Sequence, residues 1–569
     1  MDFKQKTAEL IAKQLNLQAS DVLPLITVPP QGMGDFAFPC FVAAKAQKKS
    51  PLAVSSELAS TISADFIQKV EAKGPYLNFF LNNSTLSSSV LELVFEDKYC
   101  SFPKNQGRVM VEYSSPNTNK PLHVGHLRNN TLGLAISNLL ELTGHKVIKA
   151  NLINDRGVHI CKSMLAYQLF GKGKDPKKLK IKSDHFVGDM YVLYNKKLAE
   201  DATLEEKNKE LLLKWEKGDK KTIALWKKMN KWAISGMKET YSDFGTKFDT
   251  IFLESEMFKK QKGKQIIEEG LKKEIFKKEE NGAIVAALEP ELPNKVLLRG
   301  DGTSLYATND LGATQEKFDE FKLDKSIWVV ANEQDLYFKQ LFAIFKKLGR
   351  EWANKCYHLS YGMVALPSGR MKSREGTTAD ADDLLAEVKK IALEEIKKRY
   401  PALKQKDAEK RAHAIALGGI KFFLLKNDAK KEMIFNPEES LSFDGETGPY
   451  LQYTFARARS ILRKAKEESK KYSQKNFDLL EHEKEKALIV EISKFKEAIL
   501  RSWDDLSLHP LCHNLLSIAE KFNSYYHEVP ILKSDSKELL SARLSLVEAT
   551  TIVLKKGMNI LDVEAIEEM

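Results

Sequence analysis

The sequence predicts a multidomain α/β protein. A doubly wound parallel-sheet domain lies between a small N-terminal α+β domain and an all-α C-terminal helical bundle. Three observations carry this. Gly107 to Asn154 read as strand, loop, helix, strand, which is the βαβ half-repeat of a doubly wound sheet. Before about residue 100, a helix-like opening is followed by turn-rich and alternating stretches. From about residue 445 the chain reads as helices to its end.

The N-terminal domain, residues 1–103, opens on "MDFKQKTAELIAKQLNLQ", a charged amphipathic pattern. It also holds the turn-rich "PPQGMGDFAFPC" and the strand "KGPYLNFFLNN". The sheet domain spans residues 104–444. In "GRVMVEYSS", Val109, Val111 and Tyr113 share one face of a strand. "LRNNTLGLAISNLLELTGH" places Leu132, Ile136, Leu139 and Leu140 at helical spacing, with Gly144 as the C-cap. "KVIKANLIN" is the next strand. Residues from about 160 to 300 are highly charged and read as a mostly helical insertion. Strand character returns in "DGTSLYATND" and "SIWVVANEQD". A Gly/Ser/Lys/Arg loop, "YGMVALPSGRMKSREGTTADADDLL", then leads into a helix. Residues 445–569 are the bundle, and no fixed-period repeat is visible.

Composition excludes several classes. Apolar residues make up 43% of the 569, enough for substantial cores. No apolar run approaches the ~18 residues of a membrane span, and the N-terminus shows no secretory pattern, so no membrane association is expected. The five cysteines never form C-x-x-C, which suits a reducing, cytoplasmic location rather than a disulfide framework. A net charge of +11 leaves a polyanionic partner open without specifying one.

The chemistry concentrates in "SSPNTNKPLHVGHLRNN", Ser114 to Asn130. His123 and His126, with His159 and Cys161 further on, do not match a standard zinc signature, so no metal site is expected. A corner rich in turn formers accounts for Pro116, Pro121 and Gly125. It does not account for two imidazoles and Lys120 at the start of a crossover helix, where backbone amides attract phosphate. Gly125 carries no Cβ to block a nucleotide base.

These residues resemble a family. "HVGH" is similar to the H-I-G-H signature of class I aminoacyl-tRNA synthetases, and "VEYSSPNTNKPLHVGHLRNNTLG" resembles the arginyl-tRNA synthetase version of it. "NLINDRG", "LYATNDLGA" and "VVANEQD" follow in the family's order. "GRMKSREGTT" stands where the K-M-S-K-S loop belongs, and "DGETGPYLQYTFARARSILRK" resembles the start of the family's anticodon-binding domain.

The resemblance implies a Rossmann-like catalytic domain. It also implies ATP-dependent ligation of L-arginine to tRNA(Arg) through arginyl-adenylate. ATP would come with Mg²⁺ bound to it, there would be no permanent cofactor, and the protein would be a monomer. His123 and His126 would contact phosphate. Met371, Lys372, Ser373 and Arg374 would grip ATP together with Gly125. Arg370 and Ser373 depart from the two lysine positions of that loop, and the family view makes Lys120 the compensating cation; Lys372 and Arg374 remain alternatives. Arginine would sit on Glu112, Asn117, Tyr306, Asp310 and Gln334, with Glu254 as a further contact. Tyr306 and Asp310 would share a face if helical. The tRNA would meet Tyr450, Tyr453 and Arg457, with "FNSYYHEVP" as a second surface and Asp35 and Phe36 at its elbow. Two other readings stand beside this one: an inactive RNA-binding paralogue, and a different nucleotidyl-transferring enzyme using H-x-G-H.

Overall fold

The computed structural model describes residues 3–30, 32–96, 99–301, 305–367 and 380–569. Arg370, Met371, Lys372, Ser373 and Arg374 lie outside the described residues.

The N-terminal unit is an antiparallel sheet of β1 (Phe36–Pro39), β2 (Ile67–Lys73) and β3 (Tyr76–Leu81), in the order β1-β3-β2. Helices Phe3–Leu15 and Pro51–Thr61 cover it, burying Ile11, Val54 and Leu58 against Phe38, Leu77 and Phe79. Ser50 caps the second helix by accepting from the Ala53 amide at 3.2 Å, with Pro51 at its first position.

The central domain holds β4 (Arg108–Glu112), β5 (Lys146–Ile153) and β6 (Thr250–Leu253). It continues through β7 (Phe276–Lys278), β8 (Ile284–Ala286) and β9 (Lys295–Leu298) to β10 (Lys325–Ala331) and β11 (Cys356–Tyr361). The main sheet is parallel throughout, in the order β11-β10-β4-β5-β6. Strand order reverses between β4 and β10. A doubly wound sheet opens its binding crevice at such a point, beyond the strands' carboxyl ends.

Both sheet faces are buried. Val109, Val111, Tyr113, Ile327 and Val329 join the core formed with helix Val124–Leu142 and the C-terminal bundle. Met110 and Trp328 face the other core, with helices Lys262–Lys272, Tyr306–Phe321 and Asp335–Lys347. Gly144 follows helix Val124–Leu142 at φ +93°, and a Cβ there would lie 2.0 Å from the Pro103 carbonyl oxygen. The predicted glycine stop therefore has both a conformational and a steric reason.

The 160–300 region is mostly helical, with helices up to Phe244 and again over Glu254–Lys259 and Lys262–Lys272; it also supplies β6, an edge strand of the main sheet, and the antiparallel β7-β8-β9 sheet. One sequence expectation needs correction. In "DGTSLYATND" the described residues Leu305 to Asp310 form no strand. Helix Tyr306–Phe321 begins within it, because Ala307, Leu311 and Phe318 recur at helical spacing toward the core.

The bundle comprises helices Gly448–Glu467, Glu483–Ser493, Phe495–Asp504, His509–Glu528 and Lys537–Ile560. It joins the N-terminal part of the chain through stacked Phe95–Phe477 and Tyr99–Phe495 rings, with centroids 6.1 and 6.2 Å apart. Asp35 and Phe36, expected at the tRNA elbow, lie at this junction. The Asp35 carboxylate accepts from the Leu81 amide at 2.7 Å and from Lys486 of the bundle at 3.1 Å. Phe36 packs against the cores on both sides. Both side chains face inward because the turn before β1 lies against β3, where the Asp35 amide donates to the Phe79 carbonyl.

Candidate active site

β4 ends at Glu112, and the chain turns sharply. Ser114 and Ser115 both adopt left-handed conformations, at φ +75° and +46°. Such positions cost about 1–3 kcal/mol each for non-glycine residues and persist only when the surroundings fix them. Here the Ser114 amide donates to Asn129 Oδ1 and the Ser115 amide to Asn151 Oδ1. Asn129 in turn donates to the Val329 carbonyl at 2.6 Å, so helix, turn and β10 are locked together at the switch point.

The turn delivers the histidines. His123 is extended and N-caps helix Val124–Leu142. Its amide donates to His126 Nδ1 at 3.1 Å, and the two rings lie 4.0 Å apart. Because Nδ1 of His126 accepts, its neutral ring carries the proton on Nε2 and can donate from there. His123 Nδ1 is buried without a hydrogen-bond partner among the described residues. Burial, then Lys120, lowers the His123 pKa to about 3; burial, His123 and Lys120 hold His126 well below the ordinary value. Burial also lowers that of Lys120. Both rings are therefore neutral donors at physiological pH, in a place that disfavours cations until an anion arrives. Gly125 has a local reason: a Cβ there would meet Cε1 and Nδ1 of His123 at 3.0 Å. Asp380, the N-cap of helix Ala381–Arg399, closes this corner: it is bridged to His123, and the Ala381 amide donates to the Leu122 carbonyl at 3.0 Å.

Carboxylates gather elsewhere at the carboxyl end of the same sheet. Helix Tyr306–Phe321 carries Tyr306, which is 64% exposed, and Asp310 one turn later on the same face. Burial raises the Asp310 pKa to about 6 although the Tyr337 hydroxyl donates to it. Glu254, just after β6, is buried with Oε2 unpartnered among the described residues, and burial raises its pKa to about 7 against the pull of Arg156. Asp155 of "NDRG" places that segment by accepting from the amide and hydroxyl of Ser255 at 2.8 and 2.7 Å. The Arg156 guanidinium lies 3.8 Å over the Phe258 ring. Glu112 is buried and paired with Lys317. Asn117 and Gln334 are exposed, beyond β4 and β10 respectively; Asn117 is bridged to Asn154. Asp310 acts on Glu254, both act on Tyr306, and the Glu112 charge acts on Asp310, so these groups form one cluster.

Sequence reasoning missed Lys317 and Tyr337. Tyr337 follows "ANEQD" at helical spacing and carried a visible signal; Lys317 carried none. Among the described residues, Asp184, His185 and Asp382 form a further group of possible metal ligands, and it already holds an ammonium. Lys182 lies 3.2 Å from Asp184 and 2.6 Å from Asp382. Burial pushes the Asp382 pKa up, but the bonds from His185 and Lys182 bring it to about 2.

Comparison with known proteins now decides the family. Residues 89–437 match the profile described as "tRNA synthetases class I (R), catalytic domain", residues 2–81 the arginyl-tRNA synthetase N-terminal domain, and residues 451–569 the DALR anticodon-binding domain. The arginine–tRNA ligase of Treponema denticola is 46% identical over 590 residues, covering 100% of both chains. The chain belongs to the arginyl-tRNA synthetase family. That of Borrelia duttonii is 40% identical over 99% of this chain and 98% of its own. The solved Thermus thermophilus arginyl-tRNA synthetase superposes with a TM-score of 0.83 at 28% identity, covering 100% of both chains.

Family membership directs attention to the bundle's surface. Tyr453 and Arg457 are brought together, with Arg457 donating to the Tyr453 hydroxyl at 3.0 Å and lying 4.6 Å over its ring. On its other side Arg457 lies 4.9 Å from the Tyr526 ring and bonds Asn523. The two surfaces expected separately thus meet through one guanidinium. Tyr450 stands apart, half-buried against the core. Tyr525, next to Tyr526, is fully buried.

Proposed function

We propose that the chain joins L-arginine to tRNA(Arg) at the expense of ATP. The carrying observation is that anion-ready donors and cation-ready carboxylates lie at the carboxyl ends of one parallel sheet. Arginine's carboxylate attacks the α-phosphorus of ATP; the bond to pyrophosphate breaks, leaving arginyl-adenylate. The terminal ribose hydroxyl of the tRNA, at the 2′ position in the class I pattern, then takes the arginyl group and AMP leaves.

No protein nucleophile or proton relay is needed. His126 donates from Nε2 and His123 from its imidazole toward phosphate oxygens as charge grows there, and their neutrality lets that charge be met without reorganising water. Lys120 adds a point charge that the ligand's phosphates would stabilise. Glu254, Asp310 and Glu112 receive arginine's cationic groups, with Tyr306, Asn117 and Gln334 at the rim. The guanidinium fork matches carboxylates in a way that an ammonium does not, which disfavours lysine. Mg²⁺ arrives on the ATP phosphates. Lys372, Met371, Ser373 and Arg374 are assigned to ATP by resemblance, and Tyr453 and Arg457, with Tyr450 behind them, to unpaired anticodon bases. The protein acts as a cytoplasmic monomer.

ATP–pyrophosphate exchange and tRNA charging with each of the twenty amino acids test the proposal. Arginine alone should support both. Charging with another amino acid, or tight tRNA binding without either reaction, would overturn it.

A further inference from the structure

Beneath the carboxylate cluster lies a buried ion pair. Lys317 and Glu112 pair with side-chain exposures of only 2% and 6%. Lys317 sits in the helix that carries Tyr306 and Asp310. Its offsets of eleven and seven residues place all three on one face, Lys317 about 10 Å below Asp310 along the axis. The ammonium bonds Oε2 of Glu112, and no hydrogen bond among the described residues reaches Oε1. Met110, Phe252, Leu311 and Phe318 belong to the core on this face of the sheet, and the ammonium lies 5.2 Å over the Phe252 ring. Asp310 feels both charges.

We propose that Lys317 is a positioning residue for the amino-acid substrate: it fixes the Glu112 carboxylate by one oxygen and leaves the other for arginine's cationic group. This rests on the arginine-binding reading of Glu112 given above. A lone buried carboxylate is costly, so without Lys317 it would shift toward water or toward Asp310's neighbours and lose its aim. The pair also sets the charge of the site. With one carboxylate neutralised from behind, the pocket presents fewer free charges than its carboxylates suggest, and a dication such as arginine at its binding end is not oversubscribed. A purely structural ion pair would matter to stability and leave substrate recognition alone.

The test is arginine affinity by calorimetry, with KM for arginine and for ATP in tRNA charging, for the unsubstituted protein, Lys317→Met and Lys317→Arg. Lys317→Met should weaken arginine binding and raise its KM by ~10-fold or more while moving the KM for ATP by less than ~3-fold; Lys317→Arg should recover most of the loss. If Lys317→Met does not fold, Lys317→Gln, which keeps a donor and fills the space, is read the same way. Unchanged arginine affinity in either charge-removing variant, with only a lower thermal midpoint, would overturn the inference alone. Failure of the unsubstituted protein to bind arginine would overturn the parent reading and this inference with it.

Discussion

The two ends of the crevice solve opposite problems by the same means. At the phosphate end, burial strips charge from bases: His123 titrates at about 3, and Lys120 is lowered. At the amino-acid end, burial strips charge from acids: Glu254 titrates at about 7 and Asp310 at about 6. At each end burial opposes the charge that the ligand calls for. The difference lies in where those values fall. The histidines stay neutral throughout the physiological range, whereas the carboxyls change state within it. The phosphate end is therefore a fixed set of donors, and the amino-acid end is a set of ionisations that substrate completes.

The largest expected effect separates the ends by step. His126→Ala should lower charging turnover by about 100- to 1,000-fold, the usual cost of losing one transition-state donor, with arginine affinity unchanged in calorimetry. If arginine affinity falls in parallel, the division between the ends breaks.

Next comes Glu254→Gln. The unfolded carboxyl ionises near 4.5 and the folded one near 7, so the folded state binds more protons between those values. Its contribution to stability is full below pH 4.5 and is lost as pH rises through 7. At pH 8 the substitution should raise the stability of the ligand-free protein by up to about 3 kcal/mol, at roughly 1.4 kcal/mol per pKa unit, while weakening arginine binding. Thermal unfolding at pH 5 and 8 checks this; a variant destabilised at both would contradict it.

The pH profiles sharpen the contrast. Arginine must bind ionised carboxylates, so its affinity should fall at least ~10-fold from pH 8 to pH 5.5 as Glu254 and Asp310 hold their protons. Over that span ATP affinity, corrected for the titration of ATP itself, should show no change from His123.

The smallest effect probes geometry. Gly125→Ala places a methyl 3.0 Å from two His123 ring atoms, and the ring must give way by tenths of an ångström. Turnover should fall by about 10-fold with arginine affinity intact.

The two ends also differ in how far the sequence reveals them. His123, Gly125, His126 and Lys120 lie within seven residues of one another, in the loop and first helical turn of one βα unit, so a single stretch displays their chemistry. Glu112 ends the same strand. The amino-acid end is assembled from distant elements. Tyr306 and Asp310 are legible as a helical pair, yet their segment reads as a strand until Phe318 extends its period. Glu254 follows a strand of four residues, too short to stand out within a charged, helical region. Lys317 lies 205 residues from Glu112, and no local pattern distinguishes it from a surface lysine. Asp35 shows the converse: nothing local in "GDFAFP" announces its bond to Lys486, which only the packing of the bundle reveals.

The central claim is that arginine completes ionisations its pocket withholds. Calorimetry of arginine binding at pH 6.5, in two buffers of different ionisation enthalpy, counts the protons released. With groups titrating at about 7 and about 6, roughly one proton should leave per arginine bound, and Glu254→Gln should remove most of that release. Binding heats that do not depend on buffer would contradict the account.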